Sequence, residues 1–167
     1  MDPIERDQKK RKIPKMQPRM KHPAFVVPGA MDALQALSTA TEQAGLPPNL
    51  IQLVQLRASQ INGCSVCLDG HAKILKKLNE PNDRIIAVAA WRDTPYFTDP
   101  ERAALALTES LTRLADHPNP VPDEIYNEAS KHFPEPQLAA LLLSIATINV
   151  WNRLNAATRQ QAGEWKP

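Results

Sequence analysis

The sequence lacks the features that mark membrane, secreted and β-rich proteins. It has no apolar run approaching the ~20 residues that a membrane-spanning helix needs. No apolar segment follows the basic N-terminus, as one would in a secretory signal. No stretch alternates between apolar and polar residues for long enough to predict a strand. We therefore expect an all-α protein in the cytoplasm, with no membrane partner.

Cysteine is scarce, and its scarcity limits the kinds of site that the chain can build. Both cysteines lie in one Cys-x-x-Cys, at Cys64 and Cys67. In the cytoplasm such a pair is typical of a catalytic or metal site rather than a structural disulfide. A structural zinc ion needs four ligands, and the imidazoles outside this stretch are only His22, His117 and His132. Covalent haem needs histidine directly after the second cysteine, where this chain has Leu68. We expect neither a metal nor another cofactor.

Charge is unevenly distributed. Residues 1–22 carry a net charge of +5 and the rest of the chain −3, so the overall +2 hides a basic tail. A basic tail can indicate contact with nucleic acid or an anionic surface. No aromatic residue lies between the basic ones, as single-strand binding would require. We therefore favour a disordered tail over 1–22, a helical domain over 23–167 and no nucleic-acid partner.

Helical periodicity and helix-end signals account for most of the remaining chain. At 167 residues with 43% hydrophobic content, the chain is most simply one domain. Helix starts are indicated by Pro48 and by the capping-box sequence Thr98 to Glu101. The spacing predicts helices over 31–44, 48–62, 65–78, 83–91, 98–116, 122–131 and 135–161. The last is apolar around most of its circumference, so it must be buried in the core or against another subunit. We expect a homo-oligomer.

The stretch from Gln60 to Lys73 carries the candidate chemistry. Asn62-Gly63 predicts a turn, after which a helix start places Cys64, Cys67 and His71 on one face. A helix N-terminus favours the reactive thiolate, and the imidazole can accept a thiol proton. A sulfenic acid on one cysteine could condense with the other to a disulfide, which an external dithiol would reduce. The residues alone leave open that the three side chains merely pack on an apolar face.

Four segments resemble the AhpD-like alkylhydroperoxidases of the carboxymuconolactone decarboxylase superfamily. They are 50–71, Trp91-Arg92, 97–108 and 149–153, and the likeness extends over roughly residues 20–163. The resemblance implies an all-helical bundle that assembles as trimers or hexamers. It also implies a peroxidase that takes a hydroperoxide substrate and cycles between dithiol and disulfide.

The resemblance also assigns roles within the site. In that family a glutamate twelve positions before the first cysteine completes a proton relay with the histidine and the thiols, and here Gln52 stands at that position. An amide can orient the imidazole but cannot accept a proton, so we expect His71 to be a weaker base. Helix-end electrostatics favours Cys64 as the attacking thiol, whereas the family precedent and nearness to His71 favour Cys67. We assign Cys67 as peroxidatic and Cys64 as resolving.

Two other functions remain as alternatives. The glutamine at position 52 is compatible with a redox-sensing oligomer that has little or no turnover. A lactone decarboxylase is suggested by the superfamily, but those decarboxylases generally lack the cysteine pair. Among the other residues, we expect Trp91 and Trp151 to anchor the core or a subunit interface, and Asp69 to support the helix start.

Overall fold

The computed structural model describes residues 16–163 and residue 165, so most of the predicted tail lies outside the described residues. Within the described part every regular element is helical, which confirms the all-α prediction. Two short 3₁₀ segments, Val88–Asp93 and Leu114–Asp116, accompany the α-helices. The α-helices are, in chain order, α1 (Pro23–Val26), α2 (Ala30–Glu42), α3 (Pro48–Asn62), α4 (Ser65–Lys77), α5 (Asn82–Ala87), α6 (Asp99–Thr112), α7 (Asp123–His132) and α8 (Glu135–Thr158).

Helix α3 lies at the centre of the bundle and packs against α4, α6 and α8. On one side, Leu50 and Val54 join a cluster with apolar residues of α6 and α8. On the other side, Leu53 and Leu56 pack with residues of α4, α6 and the first 3₁₀ segment. A helix that is buried on two faces has little freedom to shift, because protein interiors are close-packed. Helix α3 therefore holds its own site residues in fixed positions.

The long last helix is buried largely within the chain itself. Leu141 and Ile145 have no exposed surface and lie in the same cluster as α3. Leu143 and Val150 face outward and are exposed, so contact with another subunit stays a prediction. The helix ends at Thr158 rather than at residue 161, and Arg159 takes a left-handed conformation with φ 54°. Of the described helices, none combines the length and hydropathy that crossing a bilayer requires.

The helix predicted over 83–91 is shorter than expected. Helix α5 ends at Ala87, and the chain continues as a 3₁₀ segment that is interrupted at Ala90, with φ −127° and ψ 38°. The change of direction brings the indole of Trp91 into the core, where its Nε1 donates to Glu109 at 2.9 Å. This tryptophan is a core anchor, as predicted.

Glu109 of α6 ties this segment to the central helix. Its carboxylate accepts from Arg57 of α3, with Nη2 at 2.6 Å, and from Arg92 Nη1 at 2.5 Å. Burial alone would raise the pKa of Glu109, but the hydrogen bonds from Arg92, Trp91 and Arg57 outweigh it and hold the pKa below its ordinary value. The guanidinium of Arg57 is therefore held by Glu109 in the interior of the bundle.

The chain before α2 is more ordered than the sequence indicates. Helix α1 was not predicted, and the imidazole Nδ1 of His22 caps it by accepting from Ala24 N at 3.2 Å. The backbone N–H of Arg19 donates to the carbonyl of Thr158 at 2.8 Å, at the end of α8. Part of the segment assigned to the tail thus packs on the bundle, and the division at residue 22 stays a prediction for the rest.

Candidate functional site

The turn between α3 and α4 brings the two cysteines to a helix start. Gly63 ends α3 with φ +66°, which confirms the predicted Asn-Gly turn. Asn62 fixes the turn by donating to Asn149 and Asn152 of α8, each at 2.9 Å. The N–H of Cys64 donates to the carbonyl of Ser59 at 3.0 Å. The position of the cysteines is therefore set by α3 and α8 together.

Cys64 and Cys67 lie side by side at the N-terminus of α4. Cys64 is the N-cap residue, and its Sγ accepts from the backbone N–H of Cys67 at 3.3 Å. The two sulfur atoms are in contact, and the Cα atoms are 5.4 Å apart, within the range that disulfides span. Both side chains are buried. The pair can exchange between dithiol and disulfide without a large backbone movement.

His71 follows one turn after Cys67 on the same buried face of α4. Its Nδ1 lies 2.8 Å from Oε1 of Gln52 on α3. With the amide oxygen as acceptor, the imidazole carries its proton on Nδ1 and keeps a lone pair on Nε2. Burial lowers the pKa of His71 to about 4, because the amide offers no charge to offset desolvation of the imidazolium. The sequence prediction that Gln52 contacts the histidine without charging it agrees with this geometry, while its role in a reaction stays a prediction.

Asn155 is a site residue that the sequence reasoning missed. It lies near the end of α8, and its Nδ2 donates to Sγ of Cys67 at 3.3 Å. Its only signal in the sequence is a spacing of three, since Asn149, Asn152 and Asn155 are polar positions at regular intervals in an otherwise apolar helix. In the structure all three are buried; Asn149 and Asn152 bond to the last turn of α3, and Asn155 bonds to Cys67 at the start of α4.

A cavity of about 550 Å³ opens beside Cys67 and His71. Its walls are formed mainly by apolar and amide side chains, and Glu42 is its one carboxylate among the described residues. Burial lowers the pKa of His22, another lining residue, so that imidazole is neutral near pH 7. The apolar lining consists of Phe25, Met31, Val66, Ile74, Ile148, Trp151 and Trp165, and the amides are Gln35, Gln52, Gln55, Asn155, Gln160 and Gln161.

Trp151 packs against the buried cluster around the two cysteines, as predicted for a core anchor, and it also lines the cavity. It is half-buried on the cavity wall, where its ring lies 5.3 Å from that of His22. We expected an anchor of the core or of a subunit interface. Since the helix register that buries Leu141 and Ile145 turns Trp151 toward the site, the indole is available to a ligand in the cavity.

The chain after α8 returns across the site. The indole of Trp165 lies edge-on to His71, with ring centroids 5.7 Å apart, and covers Gly70, where a Cβ would come within 1.8 Å of the indole. The N–H of Gly163 donates to Asp69 at 3.1 Å, and Asp69 also pairs with Lys73 at 2.6 Å. Asp69 therefore anchors this segment and takes no part in the cavity. Among the described residues no group of His, Cys, Asp and Glu side chains is placed to hold a metal ion.

The fold and the site define a class: all-helical proteins with a Cys-x-x-Cys at a helix start and a histidine one turn later. The chain belongs to the carboxymuconolactone decarboxylase family, whose model matches residues 28–110. It is 33% identical over 137 residues to the uncharacterized protein YdfG of Bacillus subtilis, covering 82% of this chain and 92% of that protein.

Solved structures share the fold. A protein of unknown function from Agrobacterium tumefaciens, ATU0492, which bears the provisional description of antioxidant defence protein AhpD, superposes with a TM-score of 0.82 at 31% identity. The alignment covers 89% of this chain and all of that one. The debrominase Bmp8, in complex with 2,3,4-tribromopyrrole, has a TM-score of 0.74 at 20% identity, covering 84% of this chain and 74% of that one. At that identity the likeness is one of fold alone.

Proposed function

We propose that the protein is a thiol-dependent hydroperoxide reductase that cycles between dithiol and disulfide at Cys64 and Cys67. The observation that carries the proposal is the contact between the two sulfur atoms at a helix N-terminus, with Cys67 and His71 both on the wall of a cavity. Two further observations support it: the chain belongs to the carboxymuconolactone decarboxylase family, and its structure is similar to that of the Agrobacterium tumefaciens protein described above. The cycle needs no cofactor.

In the first step the thiolate of Cys67 attacks the terminal oxygen of the hydroperoxide. An S–O bond forms, the O–O bond breaks, and the alkoxide leaves and takes up a proton as the alcohol. The Nε2 lone pair of His71 is the acceptor for the proton that Cys67 loses. Cys67 is then a sulfenic acid.

In the second step the thiolate of Cys64 attacks the sulfur of that sulfenic acid. An S–S bond forms, and the hydroxyl group leaves as water after protonation. An external dithiol reduces the disulfide and becomes oxidised itself. Over one cycle, a hydroperoxide and two thiols give an alcohol, water and a disulfide.

The cavity supports a hydroperoxide with a bulky, uncharged body. Its volume lies within the range of organic-ligand sites, and aromatic and aliphatic side chains form much of its wall. Glu42 would repel an anionic substrate. Hydrogen peroxide would leave most of this surface without a partner.

We also propose that the protein acts in the cytoplasm as a homo-oligomer, a trimer or a hexamer. A reducing compartment keeps the pair ready for reaction and supplies the dithiol. Phe25, Val26 and Val27 are consecutive apolar residues that are all exposed, and exposed apolar side chains of this kind are often buried between subunits.

A redox sensor with little turnover is the second candidate. It is favoured by the lowered pKa of His71, which makes the imidazole a poor proton acceptor. In that case the same two thiols are oxidised slowly, and the disulfide serves as a signal. No feature of the site favours lactone decarboxylation, because that reaction would not use the buried cysteine pair.

Thiol titration separates these functions. The reduced protein is mixed with one equivalent of cumene hydroperoxide, and free thiols are counted over time, with Cys64→Ser and Cys67→Ser as controls. A peroxidase loses both thiols within the mixing time or soon after and recovers them with a dithiol. Loss at the rate of free cysteine would contradict the proposal and favour the sensor.

A further inference from the structure

We propose that Asn155 stabilises the thiolate of Cys67 and thereby selects Cys67, rather than Cys64, as the attacking sulfur. The inference rests on the proposed function for its place in a reaction, but the thiol chemistry that it describes is measurable without a peroxide.

The two sulfur atoms have different hydrogen-bond donors. The sulfur of Cys64 accepts from the backbone N–H of Cys67 at 3.3 Å, in the N-cap position of α4. The sulfur of Cys67 accepts from the side-chain Nδ2 of Asn155, also at 3.3 Å. Helix-end electrostatics alone would favour Cys64, which is the nearer to the unpaired amides. The amide of Asn155 supplies Cys67 with a donor of its own.

Asn155 is well placed for this task. It is 7% exposed, and its side-chain amide donates to a sulfur that lies 88 residues away in the sequence. Its backbone carbonyl accepts from Gln160 N at 3.0 Å in the last turn of α8. The donor is therefore held by the helix, and water has little access to compete with it.

Among the described residues that line the cavity, none is a lysine or an arginine that could replace this donor. The titratable groups that face the cavity are His71 on α4, His22 before α1 and Glu42 on α2, while α3 and α8 contribute amides. Both imidazoles are neutral near pH 7, since burial lowers the pKa of each. A negative charge on Cys67 consequently depends on neutral donors, and Asn155 is the side chain seen to donate to it.

The test isolates one cysteine at a time. In a Cys64→Ser background, where serine keeps a favourable N-cap, the pH dependence of iodoacetamide alkylation reports the pKa of Cys67. Asn155→Leu should raise that pKa by about one to two units, because hydrogen bonds to charged groups are among the strong ones. Asn155→Asp keeps the shape, replaces the donor by a carboxylate, and should raise it further.

The matched control uses the same Asn155 substitutions in a Cys67→Ser background. There Asn155→Leu should leave the pKa of Cys64 unchanged, because its donor is the backbone of α4. Asn155→Asp should raise the pKa of Cys64 by less than it raises that of Cys67, because the carboxylate takes the place of the group that donates to Cys67. Loss of the turn's structure would instead shift both cysteines, so the comparison separates thiolate stabilisation from a structural role. If Asn155→Leu does not fold, Asn155→Asp carries the test.

A second readout addresses the selection itself. With both cysteines present and a tenth of an equivalent of iodoacetamide, mass spectrometry should find the label on Cys67, and Asn155→Leu should move it toward Cys64. An unchanged Cys67 pKa in both Asn155 variants, or equal shifts at both cysteines, would overturn the inference. If the shifts appear while the wild-type protein fails to reduce hydroperoxides, the proposed function fails and this inference stands.

Discussion

At the scale of single residues, the contact between Gln52 and His71 determines how basic the imidazole is in the proposed cycle. The amide oxygen fixes the imidazole at 2.8 Å and leaves it neutral, so orientation is provided without basicity. In the proposed cycle, the thiolate of Cys67 is stabilised by neutral donors as far as the described residues are concerned, and its proton passes to a weak base. A negative charge at position 52 would make His71 a stronger base.

Gln52→Glu should raise the rate of hydroperoxide turnover by up to about tenfold, because a carboxylate against Nδ1 raises the pKa of His71 and a stronger base accepts the thiol proton more readily. The measurement is kcat for cumene hydroperoxide with a dithiol reductant. Gln55→Glu is the matched control, since Gln55 also lines the cavity from α3 but donates to Ser144 at 3.1 Å. No gain, or the same gain in the control, would show that the relay does not run through position 52.

His71 should also make the fold sensitive to acid. Its pKa is about 4 in the folded protein and about 6.5 in the unfolded chain, so only the unfolded state binds the proton between these values. With respect to His71, the free energy of unfolding has its full value above pH 6.5. It falls by up to about 3 kcal/mol as the pH drops toward 4, because the unfolded chain is protonated first. Urea unfolding at several pH values measures it.

His71→Gln should unfold with a flatter pH dependence across that window. His117→Gln, at an exposed position, should keep the wild-type dependence. Burial lowers the pKa of His22 as well, so some acid sensitivity remains in His71→Gln. Identical curves for wild type and His71→Gln would contradict a buried, neutral imidazole.

At the scale of elements, the contacts between helices decide where the site stands. Glu109 joins α6 to α3 and to the 3₁₀ segment, and its side chain is 8% exposed. Glu109→Gln should destabilise the fold by about 3 kcal/mol, because the largely buried guanidinium of Arg57 would lose its countercharge. Urea unfolding measures the loss. Glu128→Gln, at a solvent-exposed pair with Lys131, should have no measurable effect, and equal losses in both variants would contradict this role for Glu109.

Most helices could be predicted from local signals. The proline at the start of α3, the Asn-Gly turn at its end and the capping box before α6 each act within a few residues. In that capping box, Glu101 accepts from the N–H of Thr98 at 2.8 Å. The interruption at Ala90 carries no such signal, since it follows from the burial of Trp91 against a partner 18 residues away. Helix α1 was missed because its cap is a histidine.

The site residues also fall into those that local sequence signals predict and those that only long-range packing brings together. The spacing of Cys64, Cys67 and His71 along one helix is local, so the motif predicts their arrangement. Gln52 was found through a family resemblance, and its contact spans 19 residues. Asn155 lies 88 residues from the sulfur that it contacts, and only the packing of α8 on α4 brings the two together. The three-residue spacing of the asparagines marks Asn155 as a polar position, but it does not identify the residue that Asn155 contacts.

At the scale of the whole molecule, exposed apolar side chains support assembly into an oligomer. Apolar side chains remain exposed on α1 and on the outer face of α8, at Phe25, Leu143 and Val150 among others. We expect light scattering at micromolar concentration to give three or six times the 18.6 kDa of one chain. A monomeric mass would contradict the proposed oligomer, whereas the proposed thiol chemistry would be unaffected.

The proposed cycle begins with the attack of Cys67 on the hydroperoxide. The most direct measurement is mass spectrometry of the reduced Cys64→Ser variant after one equivalent of cumene hydroperoxide, with dimedone present to trap sulfenic acid. Without its resolving partner, Cys67 should carry the dimedone adduct in near-stoichiometric yield within the time in which the wild-type protein loses both thiols. Absence of the adduct on Cys67 would contradict the assignment, and with it the proposed cycle.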